Sequence, residues 1–250
     1  MTDNPVVSPS APALLPPNPV ADDVHLKPFS RIVYRTCKSI GQAIWFLSFR
    51  TGVINAKVLQ TPGGYQIACT HLSHLEPFLL GIFHPRTVDW ITRIEFYRHG
   101  VSVWFLRRFG CIPIRRQGVA ASAVRTAIDR LKQDRVVAIA PEGGVAIGPN
   151  SVCRGGRIKR GVCLIAARSG KPVIPCVILG THKLQSVGPY LPFRRGRIYL
   201  AFGEPIHPPM NSQASPRENR EAMAAQLEAA FVALYQRLLE QFELDDHSIP

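Results

Sequence analysis

The chain has 250 residues, 46% of them hydrophobic and 19% charged, and its 30 Lys and Arg outnumber 17 Asp and Glu for a formal net charge of +13. That length and apolar content exclude a wholly disordered chain and a small disulfide-dependent scaffold, and suit one or two domains with a core of their own. No apolar stretch reaches the roughly 18 to 20 residues that a membrane-spanning helix needs.

The charge is unevenly placed. Residues 1–28 sum to −2 and residues 204–250 to −5, so the span 29–203 carries +20. Its six carboxylates are Glu76, Asp89, Glu95, Asp129, Asp134 and Glu142, and the stretch between Glu142 and Glu204 holds ten Lys or Arg and no acid. Such a field gathers phosphates, whether of lipid headgroups, nucleic acid or a small substrate.

In chain order, residues 1–27 contain Pro5, Pro9, Pro12, Pro16, Pro17 and Pro19 with few large apolar groups, and read as a disordered tail. The start lacks the basic-then-apolar order of a signal peptide, so the domain is expected to face the cytoplasm. Residues 28–60 mix Phe29, Ile32, Val33, Ile40, Ile44, Trp45, Phe46 and Phe49 with Arg31, Arg35, Lys38, Arg50 and Lys57. They read as an amphipathic helical hairpin that lies on a membrane interface, packs on the core, or does both.

After the turn cluster Thr61-Pro62-Gly63-Gly64, residues 61–250 read as one domain. Short apolar runs predict strands at Tyr65–Thr70, Thr87–Thr92, Cys111–Ile114, Arg135–Ala140, Lys171–Leu179 and Arg197–Phe202. Helices are expected at Pro77–Phe83, Glu95–Phe109, Gly118–Gln133 and Ile158–Arg168. This alternation predicts an α/β fold with a mostly parallel sheet flanked by helices. A last helix starts at the capping box Ser215-Pro216-Arg217-Glu218 and repeats Met223, Leu227, Phe231, Leu234, Leu238 and Phe242 on one face. The six cysteines form no CxxC pair and read as buried reduced thiols.

The densest polar run, Thr70-His71-Leu72-Ser73-His74-Leu75-Glu76-Pro77, follows a predicted strand, where ligands sit in open α/β sheets. His71 is placed to take a proton from a hydroxyl, with Glu76 holding the imidazole by its other nitrogen. Two other readings stand beside this one. Ser73 and Glu76 match a capping box, although that register puts Pro77 where a backbone N–H is wanted. His71, His74 and Glu76 also resemble metal ligands, but without the i, i+4 pair of a helical zinc site.

Three further runs carry chemistry. Gly110-Cys111-Ile112-Pro113-Ile114-Arg115-Arg116 is a strand ending in two guanidiniums. Pro141-Glu142-Gly143-Gly144 breaks a buried strand with a turn whose backbone N–H groups can approach a ligand closely. Gly156-Arg157-Ile158-Lys159-Arg160-Gly161 opens a helix with three cations, against the preference of the helix dipole, which suits an anion docked there.

In this order, over about residues 29–205, the four runs resemble the signature blocks of the glycerolipid acyltransferases typified by 1-acylglycerol-3-phosphate acyltransferases. The first block, N-H-x-S-x-x-D-P, is met by Thr70-His71-Leu72-Ser73-His74-Leu75-Glu76-Pro77. The second is met at Gly110 and Ile114-Arg115-Arg116. The third, F-P-E-G-T-R-S, is met at Pro141-Glu142-Gly143, an F-K-x-G segment at Ile158-Lys159-Arg160-Gly161, and the fourth, V-P-V-I-P, at Lys171-Pro172-Val173-Ile174-Pro175. Glu76 stands in place of Asp, one methylene longer, and Gly144-Val145 stands in place of Thr-Arg, removing a guanidinium that Arg154, Arg157, Lys159 or Arg160 would have to replace.

The resemblance implies acyl transfer from acyl-CoA or acyl carrier protein to a lysophospholipid hydroxyl. His71 is then the general base and Glu76 its orienting partner. Ser73, Arg116, Glu142, Gly143, Lys159 and Arg160 form the substrate site, and neither a metal nor a redox cofactor is needed. It further implies a peripheral or shallowly inserted protein on the cytoplasmic face of an anionic membrane, with no nucleic-acid partner. The rival reading is a non-catalytic basic module that binds acidic membrane or nucleic acid, which leaves the arrival of His71, Ser73, Glu76 and Pro77 together unexplained.

Overall fold

The computed structural model describes residues 28–97, 100–114, 121–181, 196–209 and 213–245. The Pro-rich tail over 1–27 and the guanidiniums of Arg115 and Arg116 lie outside the described residues. The elements in chain order are α1 (Pro28–Ser48), β1 (Phe49–Ile54), β2 (Tyr65–Cys69), α2 (Glu76–Phe83), β3 (Val88–Arg93), α3 (Gly100–Arg108) and β4 (Ile112–Ile114). There follow α4 (Ala121–Lys132), β5 (Val136–Ile139), α5 (Gly161–Ser169), β6 (Val173–Leu179), β7 (Gly196–Phe202) and α6 (Pro216–Phe242).

The strands form one seven-stranded sheet in the order β1-β7-β6-β2-β5-β3-β4. All pairings are parallel except β6 with β7, so β7 and β1 run against the other five. The mostly parallel α/β fold expected from the alternation of runs is the one observed. Strands β2 and β6 are buried along their whole length. Helices cover both their faces, which is why they read as continuous apolar runs rather than as alternating ones. On one face Tyr65, Ile67, Val136, Ala138, Ile174 and Trp90 pack with Trp45 of α1 and with Leu79 and Leu80 of α2. On the other, Ala68, Val173 and Val177 meet α5 and α6, while Val137 meets Ala127 and Leu131 of α4.

Residues 28–60 do not form a helical hairpin. The single helix α1 runs directly into β1, and a short 3-10 turn over Ala56–Gln60 follows. Thr51, Val53 and Ile54 are β-branched, and β1 lies in register beside β7 from Phe49 opposite Gly196 to Ile54 opposite Ala201. Sheet bonds thereby satisfy backbone groups that a second helix would have satisfied internally. The helix expected over Glu95–Phe109 is likewise split into a 3-10 turn, Ile94–Tyr97, and α3. The helix expected from Ile158 begins only at Gly161. Before it, the N–H of Ile158 donates to Glu228 Oε1 at 3.1 Å and that of Lys159 to the Pro141 carbonyl at 2.8 Å, which pulls this stretch away from the helix axis. The capping box of α6 is formed, with Glu218 N–H on Ser215 Oγ at 3.2 Å and Ser215 N–H on Glu218 Oε2 at 2.6 Å.

Adjacent strands β6, β2 and β5 release their carboxyl ends on the same edge of the sheet. Gly180 ends β6 with φ +93°, and a Cβ there would run into the Arg197 carbonyl of β7. Gly180→Ala is therefore expected to destabilise the fold by roughly 1–3 kcal/mol through overpacking and backbone strain. Denaturant unfolding measures this, and an unchanged midpoint would show that β7 yields without cost.

Candidate active site

The site is built from the three segments that leave β2, β5 and β6. Thr70 prolongs the β2–β6 pairing, since its N–H donates to the Cys176 carbonyl at 3.1 Å and its hydroxyl accepts from the Ile178 N–H at 3.0 Å. This anchors the residue before His71 to the sheet. The His71 ring is only partly exposed, with 16% of its side chain accessible, and its Nδ1 lies 3.1 Å from Glu76 Oε2. With Glu76 ionised, Nδ1 carries the ring proton and Nε2 remains an acceptor.

Glu76 is the first residue of α2 and wholly buried. Its two oxygens have separate tasks. Oε2 faces His71, while Oε1 accepts from Ser73 N–H at 2.9 Å, Ser73 Oγ at 3.1 Å and Thr181 Oγ1 at 2.6 Å. One half of the capping-box reading is thus realised through Oε1 without costing the carboxylate its place beside His71. The position at the helix N-terminus also favours the charge. The side chain of Ser73 is buried, donating to Glu76 and accepting from the Leu75 N–H at 3.1 Å. Ser73 therefore supports Glu76 in this geometry, whereas the family resemblance implies a substrate contact.

Glu142 sits in the turn after β5. Its Oε2 accepts from the His71 N–H at 3.0 Å, and its Oε1 accepts from the Val152 N–H at 3.0 Å and from Ser151 Oγ at 3.3 Å. In return the Ala146 N–H donates to the His71 carbonyl at 3.0 Å. The main chain of His71 is therefore gripped from both sides by the loop that follows β5. Glu142, expected to shape the acceptor site, acts here as a brace on His71.

The cations sort themselves. Arg157 pairs with Glu228 at 3.4 Å and Arg160 with Glu221 at 3.0 Å, both acids on α6, and the Arg154 guanidinium lies 5.6 Å from the Tyr235 ring centre. Arg160 is thus held on α6, and the three cations do not gather at the start of α5. Lys159 differs from the others. Gly143 has φ +76°, and the space its Cβ would fill is taken by the Lys159 side chain, with Nζ 2.6 Å from that point. The Lys159 ammonium rests on the Pro-Glu-Gly turn with no side-chain partner among the described residues. Around the site, the exposed side chains include His74, whose ring centre lies 5.7 Å from that of His71 and 5.9 Å from that of Phe96, together with Phe78, Val145 and Ile147. Among the described residues no group of three or more His, Cys, Asp or Glu is arranged to hold a metal ion.

Thr181, Ser151 and the Val152 N–H were not foreseen. Thr181 becomes a candidate only once β6 is known to neighbour β2, and no local motif marks it.

The fold and site together define an α/β protein with a buried carboxylate that holds a histidine at the carboxyl edge of the sheet. The Acyltransferase family model matches residues 50–179, more than half of the chain, and the chain belongs to that family. A 1-acyl-sn-glycerol-3-phosphate acyltransferase of Bacillus subtilis is 27% identical over 83% of this chain and 96% of its own length. The enzyme of the same name from Streptococcus pneumoniae is 24% identical over 60% of this chain and 53% of its own. Among solved structures, the 1-acyl-sn-glycerophosphate (LPA) acyltransferase PlsC of Thermotoga maritima shares the fold with a TM-score of 0.63 at 23% identity, covering 82% of this chain and 80% of that one.

Burial pushes the Glu142 carboxyl above the usual glutamate range, opposed in part by the donors on Val152 and His71. The folded protein therefore holds this proton more tightly than the unfolded chain does, and the Glu142 contribution to stability falls as pH rises from the ordinary value through the raised one. Glu142→Gln lacks that component. Its stability relative to the wild type is expected to climb as pH rises above the ordinary glutamate range, as read by denaturant unfolding at several pH values. A pH-independent difference would refute the raised value.

Proposed function

We propose that the chain moves a fatty acyl group from an acyl-CoA or acyl carrier protein thioester to the free hydroxyl of a lysophospholipid such as 1-acylglycerol-3-phosphate. The observation that carries this reading is the His71–Glu76 pair at 3.1 Å, its carboxylate fully buried and its imidazole partly open. The names of the relatives supply the substrate class.

In the proposed reaction His71 Nε2 takes the hydroxyl proton as the oxygen attacks the thioester carbon. Glu76 fixes the tautomer and stabilises the imidazolium. The tetrahedral intermediate collapses with loss of the C–S bond, and the departing thiolate takes the proton back from His71. The products are an ester and a free thiol, with His71 restored. A thioester is already activated, so the step calls for no redox cofactor. Lys159 serves as the cation for the acceptor phosphate, with Gly143 leaving room for its ammonium and Arg116 as a further candidate. Ser73 and Glu142 act through Glu76 and His71.

A lipid acceptor also explains α1. Its inner face carries the buried Tyr34 and Trp45, while Ile32, Ile40, Ile44, Phe46 and Leu47 are exposed. Arg35 and Arg50 are exposed on or beside it. Helix α1 is tied to α2, the helix that begins with Glu76, by Gln42 Nε2 on the Ile82 carbonyl at 3.0 Å and Tyr34 OH on the Gly81 carbonyl at 3.4 Å. No helix among the described residues is long and apolar enough to cross a membrane. An apolar helix face with flanking cations suits peripheral docking on an anionic leaflet, here the cytoplasmic one.

Transfer of labelled acyl groups from acyl-CoA and from acyl carrier protein to lysophosphatidic acid tests the reaction. Wild type is expected to be active and His71→Ala to lose at least about 100-fold in rate. Glu76→Gln should lose most activity and Glu76→Asp retain part of it, while Lys159→Gln should raise the acceptor KM about 10-fold. Inactivity of the wild type across a broad acceptor panel, or full activity of His71→Ala, would sink the proposal.

Docking is read separately, by cosedimentation with vesicles containing anionic phospholipid. Phe46→Ser combined with Leu47→Ser removes two large apolar groups from the outer face of α1, and binding should weaken by more than about 10-fold. Unweakened binding would move the membrane contact off this helix.

A further inference from the structure

We propose that Thr181 is a positioning residue for this reaction, tying the Glu76 carboxylate to the sheet so that Oε2 is held for His71. The inference rests on the reading of His71 as general base and Glu76 as its partner. It concerns a residue that no sequence motif singles out.

Glu76 is wholly buried. A carboxylate shut away from water must have its oxygens satisfied by donors. Three donors meet Oε1, and two of them, the N–H and hydroxyl of Ser73, belong to the loop that carries Glu76, only three residues away. They move with that loop and cannot fix it relative to anything else. Thr181 is 105 residues distant in sequence and stands just beyond β6, a strand buried along all seven of its residues. Its hydroxyl is wholly buried and makes, at 2.6 Å, the shortest of the three contacts. Among the described residues it is the donor that connects the Glu76 carboxylate to the central sheet.

Glu76 also has one more rotatable bond than an aspartate would have at this place. Without a second anchor, that freedom would let the carboxylate swing away from Nδ1. With Oε1 pinned from two directions, only Oε2 remains for His71. Gly180, at φ +93°, turns the chain out of β6 so that the next side chain reaches the carboxylate. The titratable groups around the pair are Cys69, whose thiol burial drives far upward, Glu142 on the His71 N–H, and His74 against the His71 ring.

Loss of the Thr181 hydroxyl has a signature that simple packing would not give. The ionised carboxylate loses a donor, which favours its protonated form, and more of its charge acts on the imidazole, which favours imidazolium. Both changes move the acid limb of the pH–rate profile, a property of the coupled pair, to higher pH.

The test is the same acyl-transfer assay on the full chain. Thr181→Val, close in shape but without the donor, is expected to lose about 10- to 100-fold in kcat with little change in either KM, to shift the acid limb upward, and to melt near the wild-type temperature. Thr181→Ser should restore most of the rate. If Thr181→Val does not fold, Thr181→Cys, a weak donor of similar size, gives the same readout. Wild-type kcat and acid limb in Thr181→Val, while His71→Ala is inactive, overturn this inference and leave the base assignment standing. Equal losses in the Val and Ser variants, or a loss with an unmoved acid limb, also overturn it. Full activity of His71→Ala removes the reading beneath it, and the inference with it.

Discussion

The Glu76 carboxylate is the constraint from which the rest of the site follows. Burying an ion is costly unless every oxygen finds a donor. Glu76 meets that demand from Ser73 of its own loop, from Thr181 just beyond β6 and from the His71 ring. This arrangement is available only because β2 and β6 are neighbours and end on the same edge. A different strand order would leave Thr181 elsewhere and Glu76 short of a partner. The topology of the sheet and the chemistry of the loop are in this sense one decision.

The second carboxylate obeys the same rule with a different outcome. Glu142 spends its oxygens on the N–H groups of His71 and Val152 and on Ser151, so it holds the histidine by its backbone while Glu76 holds it by its ring. Position and orientation of the imidazole are set independently, one from β5 and one from β2 and β6. The excess of positive charge follows a similar logic. Arg130 and Arg135 surround the buried Asp89, Arg86 is spent on the carbonyls of Gly63 and Asp134, and Arg157 and Arg160 meet acids of α6. Part of what looks in the sequence like a field for phosphates is structural, and the acidic end of the chain is the counterpart of some of it.

These cases also show which features could be read before folding. Strands β2 to β7 and the capped helix α6 were legible because their signals are local, being apolar runs bounded by turns and a Ser215–Glu218 box. The His71–Glu76 pair was legible because five residues at a strand end span it. The fate of residues 49–54 was not, because β1 is a strand only by virtue of β7, almost 150 residues later. The cations at 157–160 misled for the same reason, since the acids that claim Arg157 and Arg160 lie on α6. Ser73 and Glu142 were found, but their direction was not: a motif gives the residue, and only the packed loop shows whether it points at the substrate or at its neighbour.

The departure at Gly144-Val145 acquires a physical meaning from Lys159. A guanidinium on the loop would grip a phosphate by a planar fork, whereas an ammonium reaching over Gly143 acts as a point charge with no preferred plane. The acceptor headgroup in the proposed reaction is then attracted strongly but oriented weakly. Orientation has to come from the other end of the lipid. Val145 and Ile147 stand exposed on either side of Ala146, the residue bonded to the His71 carbonyl, and α1 presents its apolar row beside α2. A lysolipid whose chain stays in the leaflet has lost most of its rotational freedom before its phosphate meets Lys159. In the proposed reaction a point charge over Gly143 would be sufficient for such a substrate, because a membrane would supply the alignment that a guanidinium would otherwise provide.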